Sequence, residues 1–504
     1  MERVSSRHNG DLNGKIRAGH EASPVAVSIE IPEEVAGLAA VQHTAWMLIN
    51  MLSRLENVVG EISVACPHSV GTHSRSVIPF APDSSLFVDA LRRGVGAIGV
   101  TTVRVDFNGT RHELNLVLGP GSPTKGSMQV FGEGWCGGVS RSIAIDRTKP
   151  SDLPIGPYLA AAFAAGEVFK VARFRSEDYP ASAAVFYSAW TQELSSTFDS
   201  KGPSDVRGVE LRSTLIGVGA VGGALLHALW STPGLTGSVQ LVDNDPKGLD
   251  LTNLNRYVLF GTGDIGKPKA STAALLLQDS GIHWAAFDGP IEVFEGDAMR
   301  AICAVDTNRS RLAVQVRWPE SLLMASTNEL RAEVVRCDPR GGGPCAACYN
   351  RDPGDTADDD LRQIFQSLTQ EQQLSLVESS GADLDEAIEW SLSGKCGTSG
   401  ERVRDALRIS DDEQHSFAVP FVSVAAGTML AAEVIKEELN RSVPLNTQYQ
   451  RATLQFFRPE QSLGAKKYLR DPRCAVCSPD SIGRNAWLAR CEESKRSSIG
   501  GQQR

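Results

Sequence analysis

The sequence lacks three features that would direct a protein to nucleic acid, to a membrane or to secretion. Asp and Glu (60) outnumber Lys and Arg (50), giving a formal net charge of −10, and no basic stripe that would bind a phosphate backbone is visible. No run reaches the roughly 18 uninterrupted apolar residues of a membrane span. The N-terminal segment is charged and has no apolar core, unlike a signal peptide. We therefore expect a cytoplasmic protein that binds neither nucleic acid nor membrane.

A glycine-rich turn in the middle of the chain organises the rest. An apolar run ends at Ile216, the turn GVGAVG follows, and an Ala/Leu-rich helical segment leads to a second strand that ends in Asp243. In a β-α-β unit, Gly217 permits the tight turn, Gly219 lets the backbone approach a phosphate, and Gly222 allows close helix–strand packing. The helix N-terminus attracts anions. Asp243 comes 21 residues after Gly222 (243 − 222), where a carboxylate can bind ribose hydroxyls.

Polar and cationic residues crowd the segment after the second strand, namely Asn253, Asn255, Arg256 and Lys269. A protein that binds NAD or FAD needs to hold only a pyrophosphate there. Two fixed cations with amide donors suit a triphosphate whose charge must be held during attack at the α-phosphorus. The alternative is a solvated polar loop.

The run DNDPKGLDLTNLNRYVLF, followed by DIGKPKA, resembles the ATP-binding core of the ThiF/MoeB and ubiquitin-activating-enzyme superfamily. NLNRYVLF is similar to the form found in ubiquitin-type activating enzymes. The resemblance implies a doubly wound, Rossmann-like α/β adenylation domain. It implies that Asp243 holds the ribose of ATP and that Asn253 and Arg256 contact the phosphates. It also implies that Lys269 binds the phosphate chain.

A second carboxylate follows an apolar strand that we predict to end at Asp306, in the run AICAVDTNRSRLA. Carboxylates at the C-terminal edge of a strand face the ligand crevice of a doubly wound sheet. The same resemblance implies that Asp306 helps to bind Mg²⁺ near the α-phosphate, where the ion neutralises charge on the leaving pyrophosphate. The alternative is that Asp306 caps the next helix.

Four cysteines form two widely separated C-x-x-C pairs, Cys345/Cys348 and Cys474/Cys477. Each pair places two thiolates on one knuckle, and both pairs together complete a tetrahedral zinc site. Two independent thiol motifs remain possible. The resemblance favours zinc, because many members of the superfamily carry two such pairs around the last part of the domain. Four thiolates leave no position for water, so we expect the zinc to be structural.

Between these pairs, residues 349–418 form a predicted helical insertion that carries Cys396. This cysteine lies among glycines beside Lys395, which favours an accessible thiolate. A thiolate there can attack an acyl-adenylate and form a thioester. An incidental or buried cysteine is the alternative reading of Cys396, and Cys337 is the second candidate nucleophile. Cys303 lies in an apolar strand and is expected to belong to the core.

Two distant segments share a helical pattern. Residues 157–170 and 420–436 both begin with Pro-aromatic and end with Glu-Val-apolar-Lys. They are either unrelated buried helices or a sign of a duplicated α/β domain. The resemblance favours duplication, because ubiquitin-type enzymes pair an inactive adenylation-like domain with an active one. The predicted divisions are a disordered lead (1–30), an inactive adenylation-like domain (31–190), a linker (191–205), the active domain (206–478) and a flexible tail (479–504).

Two shorter segments give local predictions. The run from Gly94 to Gly99 is a second GxGxxG, but it follows a helical segment and precedes a strand. That order is the reverse of a dinucleotide-binding turn, so we predict that it ends a helix. Residues 183–194 (AAVFYSAWTQEL) are predicted to be helical.

Together these observations predict an enzyme that uses ATP and Mg²⁺ to adenylate the C-terminal glycine of a ubiquitin-like protein. Cys396 would then accept the acyl group as a thioester and pass it to a conjugating enzyme. Positioning and charge stabilisation by Arg256, Lys269 and Asn253 would drive adenylation. Three alternatives stay open: adenylation for sulfur transfer or peptide modification without an enzyme thioester, a nonenzymatic nucleotide-binding scaffold, and an NAD dehydrogenase. Arg256 and Lys269 disfavour the last.

Overall fold

The first half of the chain builds a mixed sheet, seen here in a computed structural model. Its elements in chain order are β1 (Val25–Glu30), α1 (Ala39–Leu52), β2 (Val59–Ala65), α2 (Phe87–Ile98), β3 (Arg104–Asp106), β4 (Leu114–Leu118), β5 (Ser127–Glu133), β6 (Cys136–Ser140), α3 (Ile155–Arg173), β7 (Ala184–Ser188) and β8 (Glu193–Ser195). The eight strands lie in the order β3-β2-β1-β4-β5-β6-β7-β8. The first five strands in this order, from β3 through β2, β1 and β4 to β5, are parallel to one another. Strands β6, β7 and β8 each pair antiparallel with the strand before them.

The second half builds another sheet from β9 (Glu210–Ile216), α4 (Ala220–Ser231), β10 (Thr236–Asp243), α5 (Lys269–Leu276), β11 (Ile282–Asp288), β12 (Arg300–Cys303), α6 (Asn308–Gln315), β13 (Ser321–Asn328), β14 (Arg331–Cys337), α7 (Ala346–Tyr349), α8 (Gln370–Ser380), α9 (Leu384–Ser393), α10 (Pro420–Ser442) and β15 (Arg451–Gln455). The strand order is β11-β10-β9-β12-β13-β14-β15. The first five are parallel and the last two antiparallel. The order reverses between β9 and β12, where doubly wound sheets bind ligands. The predicted α/β class is confirmed.

The structure describes most of the chain and divides it into two compact units, Met1–Ala346 with Phe417–Arg504, and Ala347–Ser416. The smaller unit contains α8 and α9, and its own core includes Phe365 and Trp390. The described residues are 24–73, 78–81, 84–99, 102–147, 149–174, 182–337, 343–349, 361–362, 365–366, 368–393, 399, 402–403, 418–442, 451–459, 462, 467–474 and 476–489.

The two sheets share one plan. Seven strands of the first sheet, β3 to β7 in spatial order, match the seven of the second in order and direction. In each half, one long helix connects the last two of these strands along the chain: α3 follows β6 and precedes β7, and α10 follows β14 and precedes β15. Glu167 pairs with Lys170 in α3, and Glu433 pairs with Lys436 in α10. Glu167 also pairs with Arg141, which directly follows β6, and Glu433 pairs with Arg336 in β14. The repeated sequence pattern therefore builds the same ion-pair arrangement twice, while the predicted domain limits and the inactivity of the first half stay predictions.

Helices from both halves form the layer between the sheets, with α10 packed against α3 and α4, and α1 against α3. A buried polar cluster joins them: Tyr158 lies 2.7 Å from Nδ1 of His227, and the indole of Trp46 donates to Nε2 of His227 at 3.2 Å. By length and composition alone, α3 could cross a membrane, but 94% of its apolar window is buried in the protein. The apolar character of α3 therefore reflects a core position.

The local predictions had mixed outcomes. The second GxGxxG does end α2, because Gly99 adopts the left-handed conformation (φ 67°) that closes a helix. The helix predicted at 183–194 is wrong, since this segment forms β7 and β8. Val185, Phe186 and Tyr187 are consecutive, and β-branched and aromatic residues favour a half-buried pleated strand.

Candidate active site

The turn between β9 and α4 needs glycine at two positions. Gly217 has a φ of 96°, which side chains disfavour, and a Cβ on it would lie 2.8 Å from the carbonyl carbon of Ala304. A Cβ on Gly222 would lie 2.0 Å from the carbonyl oxygen of Gly217. The helix can therefore pack onto the turn only when residue 222 has no side chain.

Gly219 has a different environment. It is the N-cap of α4 and offers no side chain to bind the first N–H groups of the helix. A Cβ there would lie 3.3 Å from the hydroxyl of Tyr257 and 3.8 Å from the ring carbon that bears it. The first turn of a helix leaves N–H groups without helical partners and carries a partial positive charge. This end of α4 therefore fits a phosphate group.

Asp243 ends β10 beside the glycine turn. Its Oδ2 accepts the N–H of Val218 at 2.7 Å, and its Oδ1 accepts the N–H of Asp245 at 3.1 Å. Burial raises the pKa of the Asp243 carboxyl, and the nearby Lys269 ammonium and the two backbone bonds offset this only in part. The carboxylate thus fixes the turn to the strand, and its remaining lone pairs can accept ribose hydroxyls.

Lys269 begins α5 and is almost fully buried. Its ammonium lies 2.5 Å from Oδ2 of Asp245 and 5.4 Å from the ring centroid of Tyr257. Burial lowers its pKa, but Tyr257, Asp245 and Asp243 raise it more, so the net direction is upward. The site therefore holds a fixed positive charge that sequence analysis predicted, next to a carboxylate, Asp245, that it did not.

The segment 251–260 carries the other predicted phosphate contacts. Nη1 of Arg256 donates to the carbonyl of Thr252 at 3.1 Å and to Oδ1 of Asn255 at 2.8 Å. The Arg256 guanidinium carbon lies 5.1 Å from the ring centroid of Tyr257. One aromatic ring therefore contacts both cations of the site, Arg256 and Lys269. Sequence analysis missed this role of Tyr257, although its position next to Arg256 in NLNRYVLF was a signal.

The two asparagines of this segment have mainly structural partners. Oδ1 of Asn253 accepts the N–H of Asp250 at 3.0 Å and completes a capping box of the 3₁₀ turn Leu251–Asn253. Asn255 is fully buried and its amide donates to the carbonyl of Ala418 at 3.5 Å. Asn255 therefore accepts a hydrogen bond from Arg256 and links it to the backbone of Ala418. Asn253 lies in the 3₁₀ turn that precedes Arg256.

Asp306 follows β12 and is exposed. The strand ends at Cys303, three residues earlier than predicted. The N-cap of α6 is Thr307, whose hydroxyl accepts the N–H of Ser310 at 3.1 Å, so Asp306 does not cap this helix. Strands β12 and β9 are parallel, with Cys303 opposite Ile216. The chain therefore leaves β12 towards Asp306 at the same edge of the sheet at which it leaves β9 towards the glycine turn. One carboxylate at this edge suits Mg²⁺, which commonly takes one or two carboxylates together with phosphate oxygens.

The two C-x-x-C pairs come together in the fold. The sulfur atoms of Cys345, Cys348, Cys474 and Cys477 lie within 4.8 Å of one another, and those of Cys345 and Cys474 are 3.8 Å apart. A zinc ion with four Zn–S bonds of about 2.3 Å requires S–S distances of about 3.8 Å. The cluster therefore has the size that a tetrahedral zinc ion requires, and zinc binding itself stays a prediction.

The candidate nucleophiles differ in what the structure says of them. Cys396 lies outside the described residues. Cys337 is buried at the end of β14. Cys303 is fully buried, and burial raises the pKa of its thiol to about 11, which keeps it protonated at neutral pH. The expectation that Cys303 belongs to the core agrees with this position.

Known proteins similar to this chain include one curated sequence and several solved structures. The uncharacterized protein y4jF of Sinorhizobium fredii is 27% identical over 359 residues, which make up 69% of this chain and 64% of that protein. The chain thus spans less than two thirds of that relative. A crystal structure of E. coli MccB with ATP superposes with a TM-score of 0.36 at 20% identity, covering 53% of this chain and 68% of MccB. The microcin C7 biosynthetic enzyme MccB in complex with N-formylated MccA gives 0.37 at 20% identity, covering 54% and 68%.

The family comparison covers most of the second half of the molecule. The model of the ThiF family matches residues 191–475, from before β9 to the second C-x-x-C pair. This match includes the glycine turn, Asp243, the segment 251–260, Lys269 and Asp306. Because it spans more than half of the 504 residues, the chain belongs to the ThiF family.

Proposed function

We propose that this protein is an ATP-dependent adenylyltransferase that activates the C-terminal carboxylate of a peptide or small protein. The observation that carries the proposal is the convergence of the glycine turn, Asp243 and Lys269 at one edge of a parallel sheet. This edge combines a helix N-terminus, a ribose-binding carboxylate and a buried ammonium paired to Asp245. A dehydrogenase would have no use for the additional cation of Arg256 beside Lys269.

Each group has a defined task in this proposal. Asp243 accepts the ribose hydroxyls, and the N-terminus of α4 receives phosphate oxygens. Lys269 and Arg256 stabilise negative charge on the triphosphate, with Asn253 at the entrance to the segment that carries Arg256. An oxygen of the acceptor carboxylate attacks the α-phosphorus, and the bond from that phosphorus to the bridging oxygen breaks. The products are an acyl-adenylate and pyrophosphate, and the protein contributes position and charge.

Asp306 is the residue that we propose for Mg²⁺. Its carboxylate is exposed at the edge where the phosphates would lie. When bound, the ion supplies positive charge to the phosphate oxygens. Asp306 would hold the ion at the sheet edge that also carries the glycine turn.

Two acceptors are compatible with this site. The simpler one is a peptide or protein that is adenylated and released without an enzyme thioester, a reaction that needs a nucleotide site and an acceptor carboxylate. The other is a ubiquitin-like protein with a C-terminal glycine, which passes from the adenylate to Cys396 and then to a conjugating enzyme. We give precedence to the first, because it requires no nucleophile beyond the nucleotide site.

Pyrophosphate exchange tests the adenylation and a thiol-sensitive adduct distinguishes the acceptors. We expect ATP–pyrophosphate exchange that depends on one acceptor from a panel of peptides and ubiquitin-like proteins. With the first acceptor class, no reductant-sensitive band forms on a non-reducing gel. With the second, the Cys396→Ala variant loses the band and keeps exchange. Absence of exchange with every acceptor, together with unchanged nucleotide binding, would favour a nonenzymatic scaffold and contradict the proposal.

We also propose a structural zinc ion in the four-cysteine cluster, and its removal gives a separate prediction. We expect about one zinc ion per chain, and the Cys477→Ser variant should lose it, because three thiolates hold the metal far less tightly. The melting temperature should fall with the metal. Metal analysis and thermal unfolding check this, with Cys66→Ser, a half-buried thiol of the first half, as control. Full zinc content in Cys477→Ser would rule the cluster out as the zinc site.

A further inference from the structure

Two side chains from the first half of the chain reach into the second. Asn50 lies in the last turn of α1 and Arg54 follows just after it, both fully buried. Arg54 donates from Nη1 to the carbonyl of Leu254 at 2.6 Å and from Nη2 to the carbonyl of Phe260 at 2.7 Å. Its Nε donates to Oδ1 of Asn50 at 2.7 Å. Nδ2 of Asn50 donates in turn to the carbonyl of Val258 at 2.8 Å.

These hydrogen bonds hold one short piece of backbone at three points. The carbonyls of Leu254, Val258 and Phe260 flank the two residues of the nucleotide site in this segment, Arg256 and Tyr257. A planar guanidinium has its donors in a fixed fork, so it can fix the separation of two carbonyls as well as bind them. Two residues of the first half, Asn50 and Arg54, therefore fix the backbone geometry of residues 254–260.

A second contact supports the same segment from the side. The end of α2 lies against the next turn of the loop, where a Cβ on Gly261 would lie 2.1 Å from the carbonyl oxygen of Ala97. A Cβ on Gly99 would lie 2.3 Å from the hydroxyl of Thr262. The second GxGxxG run thus ends in a close backbone contact with the other half. Residues 254–262 are held between α1 and α2.

Among the described residues, Arg54 donates to three neutral oxygens, those of Asn50, Leu254 and Phe260, so no carboxylate offsets its charge in these bonds. Burial lowers the pKa of its guanidinium to about 9, which reflects the cost of placing a cation in the interior. Hydrogen bonds to the carbonyls of Leu254 and Phe260 offset part of this cost, and the segment that they hold carries Arg256.

We propose that Arg54, oriented by Asn50, is a positioning residue for nucleotide binding: it fixes residues 254–260 so that Arg256 and Tyr257 face the triphosphate. This inference rests on the proposed function. Arg54 makes its contacts with backbone carbonyls, so it acts through Arg256 and not on the substrate. Its loss should weaken ATP binding more than it slows the chemical step.

The test compares Arg54→Met and Arg54→Lys with Arg173→Met. Arg173 is also a buried arginine of the first half that donates to a backbone carbonyl, that of Asn57 at 2.9 Å. The measurements are KM for ATP and kcat in pyrophosphate exchange, and hydrogen–deuterium exchange of residues 254–260. We expect Arg54→Met to raise KM at least about 10-fold with a smaller change in kcat, and to speed amide exchange of the segment about 10-fold. Arg54→Lys, which keeps the charge and one bond, should lie between.

Several outcomes would overturn the inference. One is a KM for ATP within about 2-fold of wild type in folded Arg54→Met. Another is an equal change in Arg173→Met, which would indicate general destabilisation. If Arg54→Met does not fold, Asn50→Leu replaces it, since this variant of similar volume removes both the acceptor for Arg54 and the donor to Val258 without adding a charge. An unchanged KM there counts against the inference. If the wild type shows no pyrophosphate exchange, the proposed function fails, and amide exchange of residues 254–260 alone decides whether Arg54 fixes the segment.

Discussion

Replacing Lys269 by methionine should lower kcat/KM for ATP in pyrophosphate exchange by about 10³-fold. The ammonium is a fixed charge in a poorly hydrated position, where it stabilises developing charge more strongly than in water. Its neighbours hold the pKa of Lys269 above its ordinary value of 10.5, so the wild-type group stays charged throughout the neutral range. Methionine keeps most of the volume and removes the charge. Steady-state exchange at saturating acceptor measures the effect.

The control for this change is two residues away. Lys267 is mostly exposed and pairs with Asp264 at 3.1 Å, so Lys267→Met removes the same charge from the surface of the same segment. A surface ion pair contributes at most about 1 kcal/mol, and we expect exchange within about 2-fold of wild type. Equal losses in both variants would mean that the net charge of the segment, and not the position of Lys269, matters for ATP.

The parts of the site that are local in sequence could be predicted from it. The glycine turn, Asp243 and Lys269 belong to one β-α-β unit and the segment after it. Their spacing follows from the geometry of that unit. The C-x-x-C pairs are separated by a long interval, so residue type and spacing left two independent thiol motifs open, and the resemblance to the superfamily favoured one four-cysteine site. Residue type and spacing were sufficient to predict the parts of the site whose functional residues are close together in the sequence.

Contacts between the halves could not be predicted in this way. Asn50 and Arg54 lie about 200 residues before the carbonyls that they bind, and their partners are backbone atoms, which have no residue type to recognise. Asn50 and Arg54 are polar residues, and nothing in the sequence marks them as buried. Only the packing of α1 against the second half turns them into a feature of the candidate site.

The segment 183–194 shows a different reason for failure. Its sequence contains Ala, Gln, Glu and Leu, which favour helix. In the structure, the antiparallel edge of the first sheet accepts this segment as β7, with Tyr187 opposite Gly137 of β6. Pairing with a neighbouring strand outweighed a small intrinsic preference, because strand propensity depends strongly on such packing.

Gly222→Ala should disable the nucleotide site even though alanine is the better helix former. In an ordinary helix interior this change would stabilise the protein by up to about 1 kcal/mol. Here the new Cβ would lie 2.0 Å from the carbonyl oxygen of Gly217, so the turn or α4 must move. A displacement of about 1 Å can reduce activity about 10²-fold, and overpacking typically costs about 1–3 kcal/mol. We expect losses of that order in pyrophosphate exchange and in the free energy of unfolding.

Gly223 provides a matched comparison within the same turn of α4. A Cβ there would lie 3.5 Å from Cβ of Leu259, an ordinary van der Waals contact, so the helix propensity of alanine should dominate. Gly223→Ala should therefore keep exchange near the wild-type rate and raise the melting temperature by a few degrees. If Gly222→Ala also became more stable and kept its activity, α4 would not need to approach the Gly217 carbonyl. The turn would then tolerate a looser geometry than phosphate binding by its backbone requires.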